Sequence, residues 1–589
     1  MTRPVGRDEN PDIDPDPDPD PDPDIDPDPD IDPDIDIGDG TSLPSPGPSR
    51  LSCDDRRCSR CGARTIPSDR REMIRTTKRR LGVLTALVTA GALLAGCSTG
   101  SAAGGGSGSD TVHWGTKQVQ AAWDPVVTGS TAATNYLTPI YESLFTLDEK
   151  REVKPALAES YKYNPAGDEI TIRLRPKLTF QDGTPVNAEA VKFNIDRIKT
   201  QQNSALKGSY NNVKSATVID DLTVRLDLGQ QDYQIPRLLA VRGGMLPSKA
   251  AAEADPVKLS QTLPVGAGPY KVVELVPESK IVLEKWDGYW DAANIHVKRI
   301  EIDFGIDAST LVPGLQSGVY NFAQIDGAQI QQARGAGFDI LAGVDRQWGS
   351  TFLSLNFNKA PFTDPKVVEA IRYAVNPAEF ADKLGFGEGE PTHQPFPKGH
   401  PAYVDALQTE HPYDPARARE ILAKAGYSDG EISFEIAGIA NNFDQPAEVL
   451  QEQLKAVGIK TTIKLTDFAN WGKGYYGKTL AASIFGYVGR DSRVQALTEH
   501  YDTGGVLNLS SPYTSAPFHA ALKAVRATPL DSPDYGPRLQ AAAKAGYENG
   551  STVSLYTYAS AIAKKKSLSD LPAIDGFLSW KGVTFTHGD

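Results

Sequence analysis

No cysteine follows Cys97, because all four in the 589-residue chain, Cys53, Cys58, Cys61 and Cys97, lie near its start. The rest of the chain therefore has no disulfide and no thiolate metal site, and its stability must come from packing. Cys53, Cys58 and Cys61 offer half a zinc site without a fourth ligand or a structured context, so no metal is expected there. Histidine is also scarce: none of His113, His296, His393, His400, His411, His500, His519 and His587 stands four residues from another. No compact metal site or cofactor follows from that spacing. Residues 111–589 contain neither His-Glu-x-x-His nor Gly-x-Ser-x-Gly. Ser204-Ala205-Leu206-Lys207 has Ser-x-x-Lys spacing but lacks the Ser-Asp-Asn and Lys-Thr-Gly partners of penicillin-interacting enzymes. A hydrolase is the competing class, and the chain is expected not to be an enzyme. Basic excess is missing as well: residues 97–589 hold 55 acidic and 48 basic side chains, which argues against nucleic acid as partner. No repeat of 20–50 residues is present, so a solenoid is excluded.

The start of the chain reads as an address. From Pro11 to Asp36 it is almost pure Pro-Asp and Ile-Asp, where proline and like charge prevent any packed element, so residues 1–72 are expected to be a disordered extension. Met73 opens a different pattern: Arg75, Lys78, Arg79 and Arg80, then the uncharged run Leu81–Leu94, then Leu94-Ala95-Gly96-Cys97. The run is shorter than the roughly 20 residues a bilayer span needs. A short buried helix or membrane anchor is the bland alternative; the Gly/Ser tether from Ser98 to Ser109 favours an export signal. The Leu-Ala-Gly-Cys box resembles the bacterial lipoprotein signal. The resemblance implies a signal peptide over 73–96, lipidation of Cys97, and a tether over 97–110 holding the body at the outer face of the cytoplasmic membrane. Met73 is then the expected start, with residues 1–72 not translated.

At this length at least two domains are expected. Residues 111–589 mix short alternating runs with well-punctuated helices. Asp414-Pro415 supplies an N-cap and an N1 proline, and Gly426 closes that helix; Asp364-Pro365 opens another. Ile432–Ile436, Pro446–Val457 and Ile459–Leu465 read as strand, helix and strand, a unit that implies parallel strands joined by a right-handed crossover. Leu480–Val488 is a further strand of that region. Open α/β sheets bind ligands beyond the carboxyl ends of their strands. Those ends here carry Asn441, Asn442, Trp471, Arg490 and Asp491, groups suited to a polar organic solute or merely to a solvated loop.

Several segments resemble the peptide- and nickel-binding branch of the bacterial extracellular solute-binding proteins, the family 5 group. They are Ile172-Arg173-Leu174-Arg175 with Thr179-Phe180-Gln181-Asp182-Gly183-Thr184-Pro185 and Ala188-Glu189-Ala190-Val191; Val265-Gly266-Ala267-Gly268-Pro269-Tyr270 with Trp286-Asp287-Gly288-Tyr289-Trp290; Leu355-Asn356-Phe357-Asn358 with Pro361-Phe362 and Asp364-Pro365; and Tyr413-Asp414-Pro415 through Ala425-Gly426-Tyr427 and on to Ile459. They follow the family's order from about residue 111 to the C-terminus.

The resemblance implies an α/β, bilobal periplasmic-binding-protein-like fold of type II with an extra subdomain in the first lobe. Lobe I would take residues 111–345, with the subdomain at about 151–261. Lobe II would take 346–552, and 553–589 would return to lobe I. The implied function is an extracytoplasmic substrate-binding lipoprotein that closes by a hinge around an oligopeptide- or dipeptide-like solute. It would deliver that solute to an ABC permease with its ATPase subunits, as a monomer. A surface receptor that senses a peptide without transport shares the same fold and is the alternative.

Within Gly486-Tyr487-Val488-Gly489-Arg490-Asp491, the resemblance places charged ligand-binding residues. Arg490 would hold a carboxylate in bidentate fashion and Asp491 an ammonium, unless the two pair internally to shape the loop. Trp471, Tyr487, Trp348 and Tyr136 would line the cleft or belong to the core. Three stretches depart from the family pattern: Asn376-Pro377, Arg490-Asp491-Ser492 and Phe518-His519-Ala520. They leave open a modified peptide, an opine or another amphiphilic solute.

Overall fold

The computed structural model describes residues 110–586 apart from 129–132, 343–347, 489–491, 560 and 575–576. The acidic extension, the export signal, Cys97, Arg490 and Asp491 lie outside the described residues, and Trp348 is described in its backbone alone.

Local sequence sets the elements. In the strand Glu169–Leu174, Ile170, Ile172 and Leu174 are buried while Arg173 is exposed, the two-residue alternation of a half-buried strand. The chain then turns at Asp182-Gly183, with Gly183 at φ +86°, and Asn187 caps the helix Ala188–Thr200 by accepting from the Ala190 amide at 3.1 Å. Asp414 accepts from the Arg417 amide at 2.8 Å and Pro415 takes the first position of the helix Pro415–Lys424. Gly426 follows at φ +92°, in the left-handed region that a side chain would resist.

Three sheets organise the body. A seven-stranded sheet has the order Asp339–Leu341, Ala561–Lys564, Phe322–Ile325, Thr111–Thr116, Arg299–Asp303, Lys280–Lys285, Tyr270–Val276. Thr111–Thr116 runs parallel to both its neighbours, and Ala561–Lys564 runs antiparallel to both of its own. A six-stranded sheet has the order Glu390–Pro391, Thr552–Ala559, Trp348–Leu355, Ala482–Val488, Ser433–Ile439, Lys460–Thr466. Its last three strands are parallel, and the helix Asp444–Lys455 forms the crossover expected from the sequence. A four-stranded antiparallel sheet, Ala158–Tyr163, Glu169–Leu174, Thr223–Leu228 and Val213–Asp220, is covered by the helix Ala188–Thr200.

Each sheet has its own core. Val112, Trp114, Ile300, Ile302 and Phe322 pack against the first, Leu353, Ile371, Ile436, Leu450 and Ile484 against the second, and Ile172, Val191, Ile195 and Leu226 against the third. Each fully buried aliphatic side chain among them contributes about 1.5–3 kcal/mol. The architecture is the bilobal α/β fold.

The linkage between the two larger sheets matters most for function. Asp339–Leu341 and Ala561–Lys564 are neighbours in the first, and Trp348–Leu355 and Thr552–Ala559 are neighbours in the second. The chain therefore passes from the first sheet to the second between Leu341 and Trp348 and returns between Ala559 and Ala561, and the strands that flank the two passages are paired in each sheet.

Candidate functional site

Strand direction decides where a ligand can be held by both lobes. In the first sheet, Thr111–Thr116 and Phe322–Ile325 run parallel to Asp339–Leu341, so their carboxyl ends face the crossover. In the second, Ala482–Val488 runs antiparallel to Trp348–Leu355, and Ser433–Ile439 and Lys460–Thr466 follow it in parallel. Their carboxyl ends face the crossover as well. The loops most suited to binding in each sheet thus lie at the same end of both, beside the point where the chain passes between them.

On the first-lobe side, Tyr136 donates from its hydroxyl to Oε1 of Gln324 at 3.1 Å, and Thr116 Oγ1 donates to the same oxygen at 3.2 Å. The Tyr136 ring is fixed by Trp114 at 5.1 Å and Phe304 at 5.1 Å. Burial pushes its phenol well above the usual range, against a smaller opposite effect of the Thr116 hydrogen bond, so it stays a neutral donor.

On the second-lobe side, Trp471 is buried, donating from Nε1 to Ser483 Oγ at 3.0 Å, stacking on Tyr475 at 4.7 Å and meeting the tilted Phe485 ring at 4.4 Å. Tyr487 is buried too, its ring 4.8 Å from that of His500. In the present state these two rings pack in the lobe rather than open to solvent. Asn441 and Asn442 are exposed on the loop after Ser433–Ile439, and Asn441 takes the left-handed backbone at φ +65°. Sequence reasoning missed Tyr558. Its ring lies over Gly349, where a Cβ would stand 2.3 Å from Tyr558 Cζ, and its hydroxyl lies near Gly486. Glycine on two adjacent strands makes the room for this ring next to the crossover. The signal was present in the sequence as glycine within otherwise strand-forming runs.

Further contacts cross from the first lobe and its four-stranded part to the second lobe, all within one compact unit, residues 101–589. On one side Arg334 pairs with Glu388 at 2.6 Å, and the Phe386 ring covers Gly327. On the other, Tyr535 donates to Gln234 Oε1 at 2.8 Å, the Tyr233 amide donates to the Arg526 carbonyl at 2.8 Å, and Arg526 faces Asp232 at 3.9 Å. Burial raises the Asp232 carboxyl, and Arg526 partly opposes that shift. Among the described residues no group of three or more His, Cys, Asp or Glu could hold a metal ion, and no helix is long and apolar enough to cross a membrane.

This arrangement is shared with known proteins. The family model for bacterial extracellular solute-binding proteins, family 5 (Middle), matches residues 152–507. The glutathione-binding protein GsiB of Escherichia coli K12 is 30% identical over 351 residues, 58% of this chain and 67% of the relative. The GsiB of Salmonella typhi is 31% identical over 354 residues, again 58% and 67%. Among solved structures, the binding protein AgaA from A. tumefacien, in complex with agropinic acid, superposes with a TM-score of 0.71 at 24% identity, covering 81% of this chain and 99% of that one. The Helicobacter pylori binding protein DppA, in complex with the peptide STSA, gives 0.71 at 20% identity, covering 81% and 98%. These likenesses establish the fold, and the family match establishes the kinship: the chain belongs to the bacterial extracellular solute-binding proteins of family 5, and is a binding protein rather than an enzyme.

Proposed function

We propose that this protein captures a peptide-like solute in the cleft between its lobes and delivers it, by hinge closure, to an ABC permease and its ATPase subunits. The observation that carries the reading is the double crossover, with the carboxyl ends of parallel strands from both sheets gathered beside it. A ligand held there touches both lobes, and only such a ligand can shift the population toward closure.

We take lobe I as residues 111–345 with a subdomain at about 151–261. The return to lobe I is drawn from residue 561, since Thr552–Ala559 is a strand of the second sheet. Arg490 and Asp491 follow the carboxyl end of Ala482–Val488 and are assigned to a ligand carboxylate and ammonium. Asn441 and Asn442 supply amide contacts from the neighbouring loop. Tyr136, Trp348, Trp471 and Tyr487 are assigned as aromatic wall, with Trp471 and Tyr487 acting through their packing. Export by the signal over 73–96, lipidation at Cys97 and residence as a monomer at the outer face of the cytoplasmic membrane complete the proposal. The relatives named for glutathione and the neighbour holding a tetrapeptide support a peptide-like solute.

The test is thermal unfolding of refolded, ligand-free protein against short peptides, opines and nickel–histidine complexes. A ligand of the native state stabilises it by about 2.7 kcal/mol at a hundredfold excess over Kd. A shift with peptides that Arg490→Ala or Asp491→Ala abolishes supports both solute class and site. A shift with opines or nickel complexes alone replaces the peptide class, and no shift with any class overturns the reading. For the anchor, labelled palmitate should enter the wild-type protein and not Cys97→Ser.

A further inference from the structure

At the pole of the second lobe away from the crossover, where Trp348–Leu355 ends and Thr552–Ala559 begins, lies a pocket of about 550 Å³. Its walls include Phe357, Phe362, Arg372, Glu410, His411 and Tyr513. All come from one lobe, so occupancy of this pocket does not require the lobes to close.

Arg372 is more than nine-tenths buried. Nη2 donates to the carbonyls of Tyr547 and Gly550, each at 2.9 Å, and the guanidinium lies 4.8 Å over the Tyr547 ring. Nε has no acceptor, and among the described residues no carboxylate is paired with this cation. A buried guanidinium without a counter-ion is costly, and a ligand carboxylate with two oxygens would supply it.

The carboxylates of the pocket differ in how far they are engaged. Glu369 is held by Lys366 at 2.8 Å and Glu548 by Lys544, whereas Glu410 makes no ion pair among the described residues. His411, with Nδ1 3.1 Å from the Tyr547 hydroxyl, is pushed down to about 4 by burial and by Arg372, and so adds no charge near neutral pH. The pocket is therefore dipolar between apolar rings: Arg372 has no paired carboxylate, and Glu410 makes no ion pair of its own but feels Lys544 through space.

We propose that this pocket is a second ligand site, separate from the cleft, for a small zwitterion of the α-amino acid class. Arg372 takes the carboxylate, Glu410 the ammonium, and Phe357, Phe362 and Tyr513 the side chain.

The test is calorimetric titration of the full-length protein with L-leucine, N-acetyl-L-leucine and L-leucinamide, with the cleft empty and then filled by a saturating cleft ligand. L-leucine is expected to bind in both states. Losing either ligand charge, or replacing Glu410→Gln, should weaken it about tenfold, the loss of one charge-assisted hydrogen bond. Arg372→Lys should weaken it similarly; if that variant does not fold, Glu410→Gln and the ligand series decide alone. Glu410→Gln should leave capture in the cleft unchanged. Absence of binding at millimolar L-leucine overturns the site. So does competition by the cleft ligand, or equal binding by wild type and Glu410→Gln.

Discussion

The hydroxyl of Tyr535 donates to Gln234 Oε1 across 2.8 Å, and both side chains are buried, although 301 residues separate them. Gln234 Nε2 also reaches the carbonyls of Val525 and Thr528, each at 3.4 Å. In the hinge motion proposed above, opening the lobes would break these bonds. Tyr535→Phe should therefore favour the open form by about 1 kcal/mol, the worth of one buried hydrogen bond. It should lower apparent affinity severalfold, because a smaller fraction of the protein is closed. Small-angle scattering without ligand and a binding isotherm check the two halves of that expectation. An unchanged radius of gyration with unchanged affinity would show that the bond does not hold the lobes.

Gly349→Ala places a methyl group 2.3 Å from Tyr558 Cζ. The ring has to move, and overpacking of this kind costs about 1–3 kcal/mol. Urea unfolding should show the loss, and Tyr558→Ala in the same chain should recover part of it. Additive losses in the double variant would contradict the proposed clash.

Acid should weaken the fold through His411. Its folded value near 4 lies below the ordinary 6.5, so between these values the unfolded chain binds a proton that the folded one does not. Stability from this group is complete above pH 6.5 and falls as pH drops toward 4. The melting temperature of His411→Gln should decline less steeply than that of wild type over that window. Parallel profiles would assign the acid limb to other groups.

Asn187→Ala removes the acceptor for the Ala190 amide at the start of Ala188–Thr200. The loss should be about 1 kcal/mol in urea unfolding, and Asn187→Asp should restore most of it.

Such caps were readable because their physics is local. Asp414-Pro415, Asp364-Pro365 and the strand–helix–strand unit around Asp444–Lys455 each follow from a few neighbouring residues, and all stand close to where the sequence put them. The cleft is a different problem. Tyr558 and Gly349 meet only because Thr552–Ala559 pairs with Trp348–Leu355, a partnership that no local pattern announces. Periodicity also shows that a ring is buried without showing which surface buries it. Trp471 and Tyr487, equally suited by sequence to cleft or core, pack within the lobe here.

The paired crossings have a mechanical corollary. Two separate flexible linkers would let the halves of the molecule slide, tilt and rotate independently. Two passages tied at both ends by paired strands act together as a ribbon, which bends and twists far more readily than it stretches or shears. The opening of this protein should then be describable by a single angle, and one pair of fluorophores, one on each half, should suffice to follow it.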